Sequence, residues 1–257
     1  MLPNSYGNDM RVVVLLLGVV AALARLQVSS VRGLTKEFVR PPPLGLPFLQ
    51  ETRVQALRKV SLEFSRPVTT LVGTSGSGKS TLAKLLCGVE TPSSGSIDRC
   101  SEGRGAYLDP LFYLSYASSR TTTELLTRPS TPSPVLELHR LLGIPDLIAN
   151  SLLTSERRSF EVLLAIARTM SADPPMNPPL LVLDEYLDKD LSSTLTQFQR
   201  TLRLITSTLE LQTIVVTHSK AVLGVLNEDV VALSGGRVFS RGLDGALPRL
   251  PSELEMV

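Results

Sequence analysis

Between Gly73 and Ser80 the chain reads GTSGSGKS, three glycines with a lysine and several hydroxyls set between two apolar runs. The spacing of Gly73, Gly78, Lys79 and Ser80 fits G-x-x-x-x-G-K-[ST], a loop whose backbone amides wrap a phosphate chain. Glycine permits the turns that aim successive N–H groups inward, and the helix that follows adds its positive end to the same anion. The expected ligand is a nucleoside triphosphate with Mg2+. Its phosphates would lie against Gly73, Thr74, Ser75, Gly76, Ser77, Gly78, Lys79, Ser80 and Thr81. Lys79 would reach the β- and γ-phosphates, and the Ser80 hydroxyl would coordinate the metal.

Two other apolar runs end in groups with chemistry of their own. LLVLDE (180–185) finishes on Asp184 and Glu185, and TIVVTHS (213–219) carries His218. If all three runs are parallel strands, their carboxyl ends share one edge of a sheet, where residues distant in sequence converge on one ligand. Asp184 is then expected to hold the same metal as Ser80, directly or through water. Glu185 would orient or deprotonate an attacking water.

These groups need elements to carry them. RLQVSSVRGLTKEFV alternates as a strand, RPPPLGLPFLQ with its four prolines is a loop, and VQALRKVSLEF places Val60, Leu62 and Phe64 on one face of a half-exposed antiparallel strand. PVTTLVG runs into the phosphate loop as a buried central strand. A helix is predicted from Lys79 to about Cys87, with Leu82, Leu85 and Leu86 on its buried face and Gly88 as its stop. From Ser115 to Pro145 the chain is rich in Ser, Thr and Pro and then helical at PVLELHRLLG, and ADPPMNPP is a loop that delivers the chain to LLVLDE. VVALSGGRVFSRG closes the chain's core as two short strands about Gly235 and Gly236. Parallel strands alternating with helices make an α/β layered core.

At 257 residues, 43% of them hydrophobic, the chain can bury a sizeable core, and a net charge of +2 gives no reason to expect nucleic acid or an anionic lipid surface as partner. The two cysteines, Cys87 and Cys100, show no disulfide or metal spacing. Residues 1–25 read as a leader: an apolar run from Val12 to Ala24 lies between Arg11 and Arg25, shorter than the roughly 20 residues of a membrane span and ending in the small-residue triplet Ala22-Leu23-Ala24. A short membrane anchor, a surface helix buried against a partner, or a wrongly chosen start codon are the alternatives. No later segment has the length of a bilayer span, so a transport path would have to come from another chain.

Beyond the leader, residues 26–257 resemble the ATP-binding domain of the ABC (ATP-binding cassette) family. LTKEF and ALRKVSLEF are similar to the family's opening strands, with Phe38 at the aromatic that stacks on adenine. GTSGSGKSTLAKLLCGVETPSSGSI is similar to its phosphate loop, helix and following turn; LLVLDE resembles its acidic strand with the catalytic glutamate at Glu185, and TIVVTHS its switch histidine, His218, which contacts the γ-phosphate. The resemblance implies an α/β fold: a P-loop NTPase core of mostly parallel strands, an antiparallel β subdomain, and a helical subdomain at about 115–170. It implies ATP and Mg2+ as ligands, hydrolysis by Lys79, Glu185 and His218, and a head-to-tail dimer with a second ATP-binding domain. It also implies separate transmembrane transporter subunits as partners and a location at a membrane, on its cytosolic face or in an organelle such as a plastid that the leader would reach.

Two family features are altered. The signature Leu-Ser-Gly-Gly-Gln has as its counterpart LLTSERRSFEVLLAIARTM, in which Thr154, Ser155 and Glu156 stand in and neither glycine is present, the helix following at about Phe160. No glutamine occurs between Gly88 and Thr196, so Asp109 in AYLDP or Tyr116 in YLSYASS replaces the family's glutamine loop. A chain altered at both places could bind nucleotide as a regulatory module with weak or no turnover, and a non-transport ABC ATPase is the other alternative. After the acidic pair, Asp188 and Asp190 are candidates for the loop that crosses the dimer interface, or are solvated acids at a helix start.

Overall fold

The computed structural model describes residues 28–40, 51–100, 103–111, 121–126, 131–147, 151–172 and 180–243. The apolar leader, the proline-rich stretches 41–50 and 173–179, and Tyr116 lie outside them.

Three strands, β1 (Val28–Arg40), β2 (Thr52–Glu63) and β4 (Ser94–Arg99), form an antiparallel sheet in the order β2-β1-β4. The main sheet has the order β5-β6-β7-β3-β8-β9, built from β3 (Val68–Gly73), β5 (Ala106–Leu108), β6 (Leu180–Asp184), β7 (Gln212–Val216), β8 (Asp229–Ser234) and β9 (Arg237–Leu243). All its pairings are parallel except the β8–β9 hairpin. The hairpin turns at Gly235 and Gly236, both at positive φ (53° and 77°), as a two-residue turn between twisted strands requires. The helices are α1 (Lys79–Leu86), α2 (Thr122–Leu126), α3 (Ser133–Leu141), α4 (Thr154–Met170), α5 (Ser192–Thr208) and α6 (Lys220–Val225). Among the described residues no helix is long and apolar enough to cross a membrane.

The continuous apolar runs of β3, β6 and β7 are buried at every position because both faces of the sheet are covered. On one face Leu71, Leu180, Val182, Ile214 and Val216 pack with Leu82, Leu85 and Leu86 of α1 and with Val31 and Leu57 of the antiparallel sheet. On the other, Leu181, Leu183 and Val215 meet Phe160, Leu163 and Ile166 of α4 and Phe198 and Leu202 of α5. The two sheets are tied by polar groups as well. Gln212 accepts from the Val28 N–H (2.9 Å) and donates to its carbonyl (3.2 Å), so the first residue of β1 is held by the first of β7.

The first helix runs as expected from Lys79 and ends at Leu86, with Gly88 at φ 74° just beyond its cap. The helix around PVLELHRLLG is α3. The largest difference lies at α4, which begins at Thr154 and not near Phe160. The Glu156 carboxylate accepts from the Leu153 N–H at 3.1 Å, satisfying one amide at the helix start and allowing helix six residues earlier than the sequence pattern suggested.

Candidate functional site

Because β6, β7 and β3 are parallel neighbours, Asp184 at the end of β6, Thr217 just past β7 and Gly73 at the end of β3 come out on one edge of the sheet. Leu71 and Asp184 are both in register with Val216, which fixes the relative height of the three strand ends. The phosphate loop is braced from below and beside. Gly78 has φ 100°, and a Cβ there would come within 2.7 Å of the Ala56 carbonyl and the Leu57 side chain of β2, so the loop needs glycine at this point for both conformation and space. The Gly236 N–H donates to the Ser77 carbonyl (3.1 Å), joining the β8–β9 turn to the same loop.

Lys79 is buried and folds back over the loop, donating to the carbonyls of Gly73 (2.8 Å) and Thr74 (2.9 Å). Burial pulls its pKa down, while the charges of Glu185, Asp184 and Asp188 oppose that shift. The Ser80 hydroxyl donates to Asp184 Oδ1 at 3.0 Å. A hydroxyl and a carboxylate side by side are hard oxygen donors of the kind a magnesium ion takes. Among the described residues no group of three or more His, Cys, Asp and Glu side chains could hold a metal. A cation at Ser80 and Asp184 would therefore draw further oxygens from a nucleotide or water.

Glu185 sits at φ 52°, unusual for a residue with a side chain, and its N–H donates to the Val216 carbonyl (2.8 Å). The His218 Nδ1 lies 2.9 Å from Asp188 Oδ2 and 3.5 Å from Glu185 Oε1. Thr74 is half-buried, Ser75 and Gly76 are exposed at the loop tip, and Thr81 is half-buried on α1. Phe38 is half-buried on β1, two pairs along the β1–β2 ladder from the Leu57 rung that backs Gly78. The Lys36 ammonium lies 4.9 Å from the centre of its ring.

The family profile described as "ABC transporter" matches residues 57–127. A zinc import ATP-binding protein of Rickettsia bellii is 25% identical over 183 residues, covering 70% of this chain and 76% of that protein. A probable sulfate/thiosulfate import ATP-binding protein of Chlorella vulgaris is 28% identical over 213 residues, covering 73% and 85%. Among solved structures, the cbiO1 protein of Clostridium perfringens, part of an ABC transporter complex, superposes with a TM-score of 0.62 at 18% identity, covering 85% of this chain and 89% of that one. The chain is similar to ABC-type ATP-binding proteins over most of its length, and its fold is that of their cassettes.

Thr154, Ser155 and Glu156 form the first turn of α4 itself, not a loop ahead of it. The Glu156 carboxylate is occupied with the Leu153 amide. Asp109 is half-buried and accepts from the Leu111 N–H (3.0 Å), closing its own turn. Asp188 and Asp190 are not solvated: their side chains are 6% and 4% exposed. Asp188 takes the Thr217 hydroxyl and the His218 N–H, and Asp190 takes both arms of the Arg158 guanidinium, at 2.9 and 3.0 Å.

Tyr107, on the short strand β5 beside β6, had no role in the sequence reading. Its hydroxyl donates to Asp184 Oδ2, so Asp184 is held from two sides, by Ser80 on one oxygen and by Tyr107 on the other. Burial, and then this bond, push the phenol pKa up and keep it a donor. The sequence carries no signal for it beyond an aromatic between two apolar residues, because the pairing of β5 with β6 is what brings Tyr107 to Asp184.

Proposed function

We propose that this chain hydrolyses ATP as the nucleotide-binding subunit of an ABC-type transporter, acting as a dimer with separate membrane subunits. The convergence of Lys79, Ser80 with Asp184, Glu185 and His218 at the ends of β3, β6 and β7 carries this reading. The amides of Gly73 to Thr81 wrap the phosphates, Lys79 exchanges the Gly73 and Thr74 carbonyls for β- and γ-phosphate oxygens, and Phe38 supports the adenine. Magnesium, held by Ser80 and Asp184, would neutralise charge on the phosphates. Glu185 orients a water and accepts its proton as the oxygen attacks the γ-phosphorus; the bond to the β-phosphate oxygen breaks, leaving ADP and phosphate. His218 contacts the γ-phosphate and so distinguishes ATP from ADP. Residues 26–257 are read as one ATP-binding domain, and membrane attachment as coming through the partner, with the stretch 1–25 acting in targeting.

Release of phosphate from Mg-ATP by the full chain tests this. Glu185→Gln is expected to keep ATP binding and abolish release. Equal release by wild type and variant would refute the assignment.

A second reading, a nucleotide-responsive module with weak turnover, is favoured by the helical state of Thr154 to Glu156 and by the engagement of Glu156 with its own helix. Tight ATP binding without phosphate release would select it.

A further inference from the structure

The turn between the acidic pair and α5 supports an inference that rests on the reading of His218 as the γ-phosphate contact. Asp188 is nearly buried, and its partners come from one stretch of chain. The Thr217 hydroxyl donates to Oδ1, the His218 N–H donates to Oδ2 at 3.1 Å, and His218 Nδ1 is 2.9 Å from that same Oδ2. An ionised carboxylate only accepts, so the last contact is a hydrogen bond only when the proton sits on Nδ1. Glu185 Oε1 is farther, at 3.5 Å, and its side chain is 42% exposed, so Asp188 is the nearer and more buried acceptor for the ring.

We propose that Asp188 is a positioning residue for His218: it fixes the imidazole with its proton on Nδ1 and leaves Nε2 as the nitrogen free to meet the nucleotide. A histidine's acting nitrogen is set by the hydrogen bond its other nitrogen makes. The turn that carries Asp188 is itself pinned two residues on, where Asp190 forks the Arg158 guanidinium and Arg158 lies 4.3 Å over the Tyr186 ring. Asp188 therefore presents its carboxylate from a fixed backbone. Thr217 and the His218 amide fill the lone pairs that the ring does not use.

The chain has two histidines, His139 and His218, so ring nitrogen spectra are assigned with one variant, His139→Gln. Long-range proton–nitrogen NMR of the labelled full chain is expected to show His218 protonated at Nδ1. In Asp188→Ala the ring loses the acceptor that holds its Nδ1 proton, and the proton is expected to shift toward Nε2. In Thr217→Val, which keeps the carboxylate on the ring, Nδ1 protonation is expected to persist. With ATP, Asp188→Ala should lower kcat about 10–100-fold, the range for partners that orient metal-bound histidines, with KM changed by less than about threefold. A wild-type His218 protonated at Nε2, or an unchanged ring spectrum in folded Asp188→Ala, would overturn the proposal. Should Asp188→Ala fail to fold, the wild-type spectrum decides alone. Absence of phosphate release by the wild type would count against the ATPase reading, while the spectra still decide for Asp188.

Discussion

Replacing Tyr107 by phenylalanine removes one oxygen and leaves the ring packed beside α1, where Lys84 lies 5.8 Å from its centre. The lost group is the donor to Asp184 Oδ2, on a carboxylate only 7% exposed, where water is poorly placed to substitute. A hydrogen bond to a charged group contributes about 1.5–3 kcal/mol. Part of that is lost from folding, because the bond is made in the folded protein without nucleotide. The rest appears in metal binding, since Asp184 is no longer held with Oδ1 toward Ser80. Divided evenly, each share is about 1 kcal/mol, or roughly a fivefold change in an equilibrium constant. The assay is isothermal titration of ATP into the full chain over a range of Mg2+ concentrations, with a urea unfolding curve beside it. Tyr107→Phe should weaken Mg-ATP about fivefold and leave binding of metal-free ATP unchanged. An equal loss with and without Mg2+, or no loss in either, would refute the reasoning that Tyr107 acts through the metal-holding carboxylate.

Arg158→Ala takes the forked partner from Asp190, which is almost fully buried, and is expected to lower unfolding free energy by about 3–5 kcal/mol in urea, as breaking a buried ion pair does; a loss below about 1 kcal/mol would show the pair is solvated in practice. Gly78→Ala should cost about 1–3 kcal/mol and impair ATP binding, because its φ is 100° and β2 leaves no room, whereas Gly224→Ala in α6, with open space around it, should be neutral or slightly stabilising by the same unfolding assay. Burial pushes the Cys87 thiol up to about 12, so at pH 8 it holds its proton in the folded chain. Iodoacetamide should then label Cys100 in native protein and reach Cys87 only after denaturation, as read by mass spectrometry.

The strands that carry the site were readable because each is an apolar run ending in a polar group, a pattern produced by burial on both faces followed by emergence at one edge. Gly73, Lys79, Asp184 and His218 could therefore be placed before any contact was known. Contacts made sideways in the sheet were not readable. Tyr107 matters only because β5 pairs with β6, and a three-residue strand has too few positions to show a period. Asp188 and Asp190 read either as an interface loop or as solvated acids, because an acid in a turn gives no sign of a donor distant in sequence. Their donors, Thr217, His218 and Arg158, lie about 30 residues away on either side. The start of α4 was misplaced for a local reason: Thr, Ser and Glu have ordinary roles both ahead of a helix and in its first turn, and the Glu156 bond to Leu153 decides between them.

The central claim, that Lys79, Asp184 and His218 surround one metal nucleotide, is tested most directly by paramagnetic broadening. With Mn2+ and ATP added to the full chain, the ring protons of His218 should broaden strongly, those of His139 on α3 should not, and Lys79→Ala should abolish the effect. Undisturbed His218 resonances under saturating Mn2+ and ATP, or equal broadening of both histidines, would contradict it.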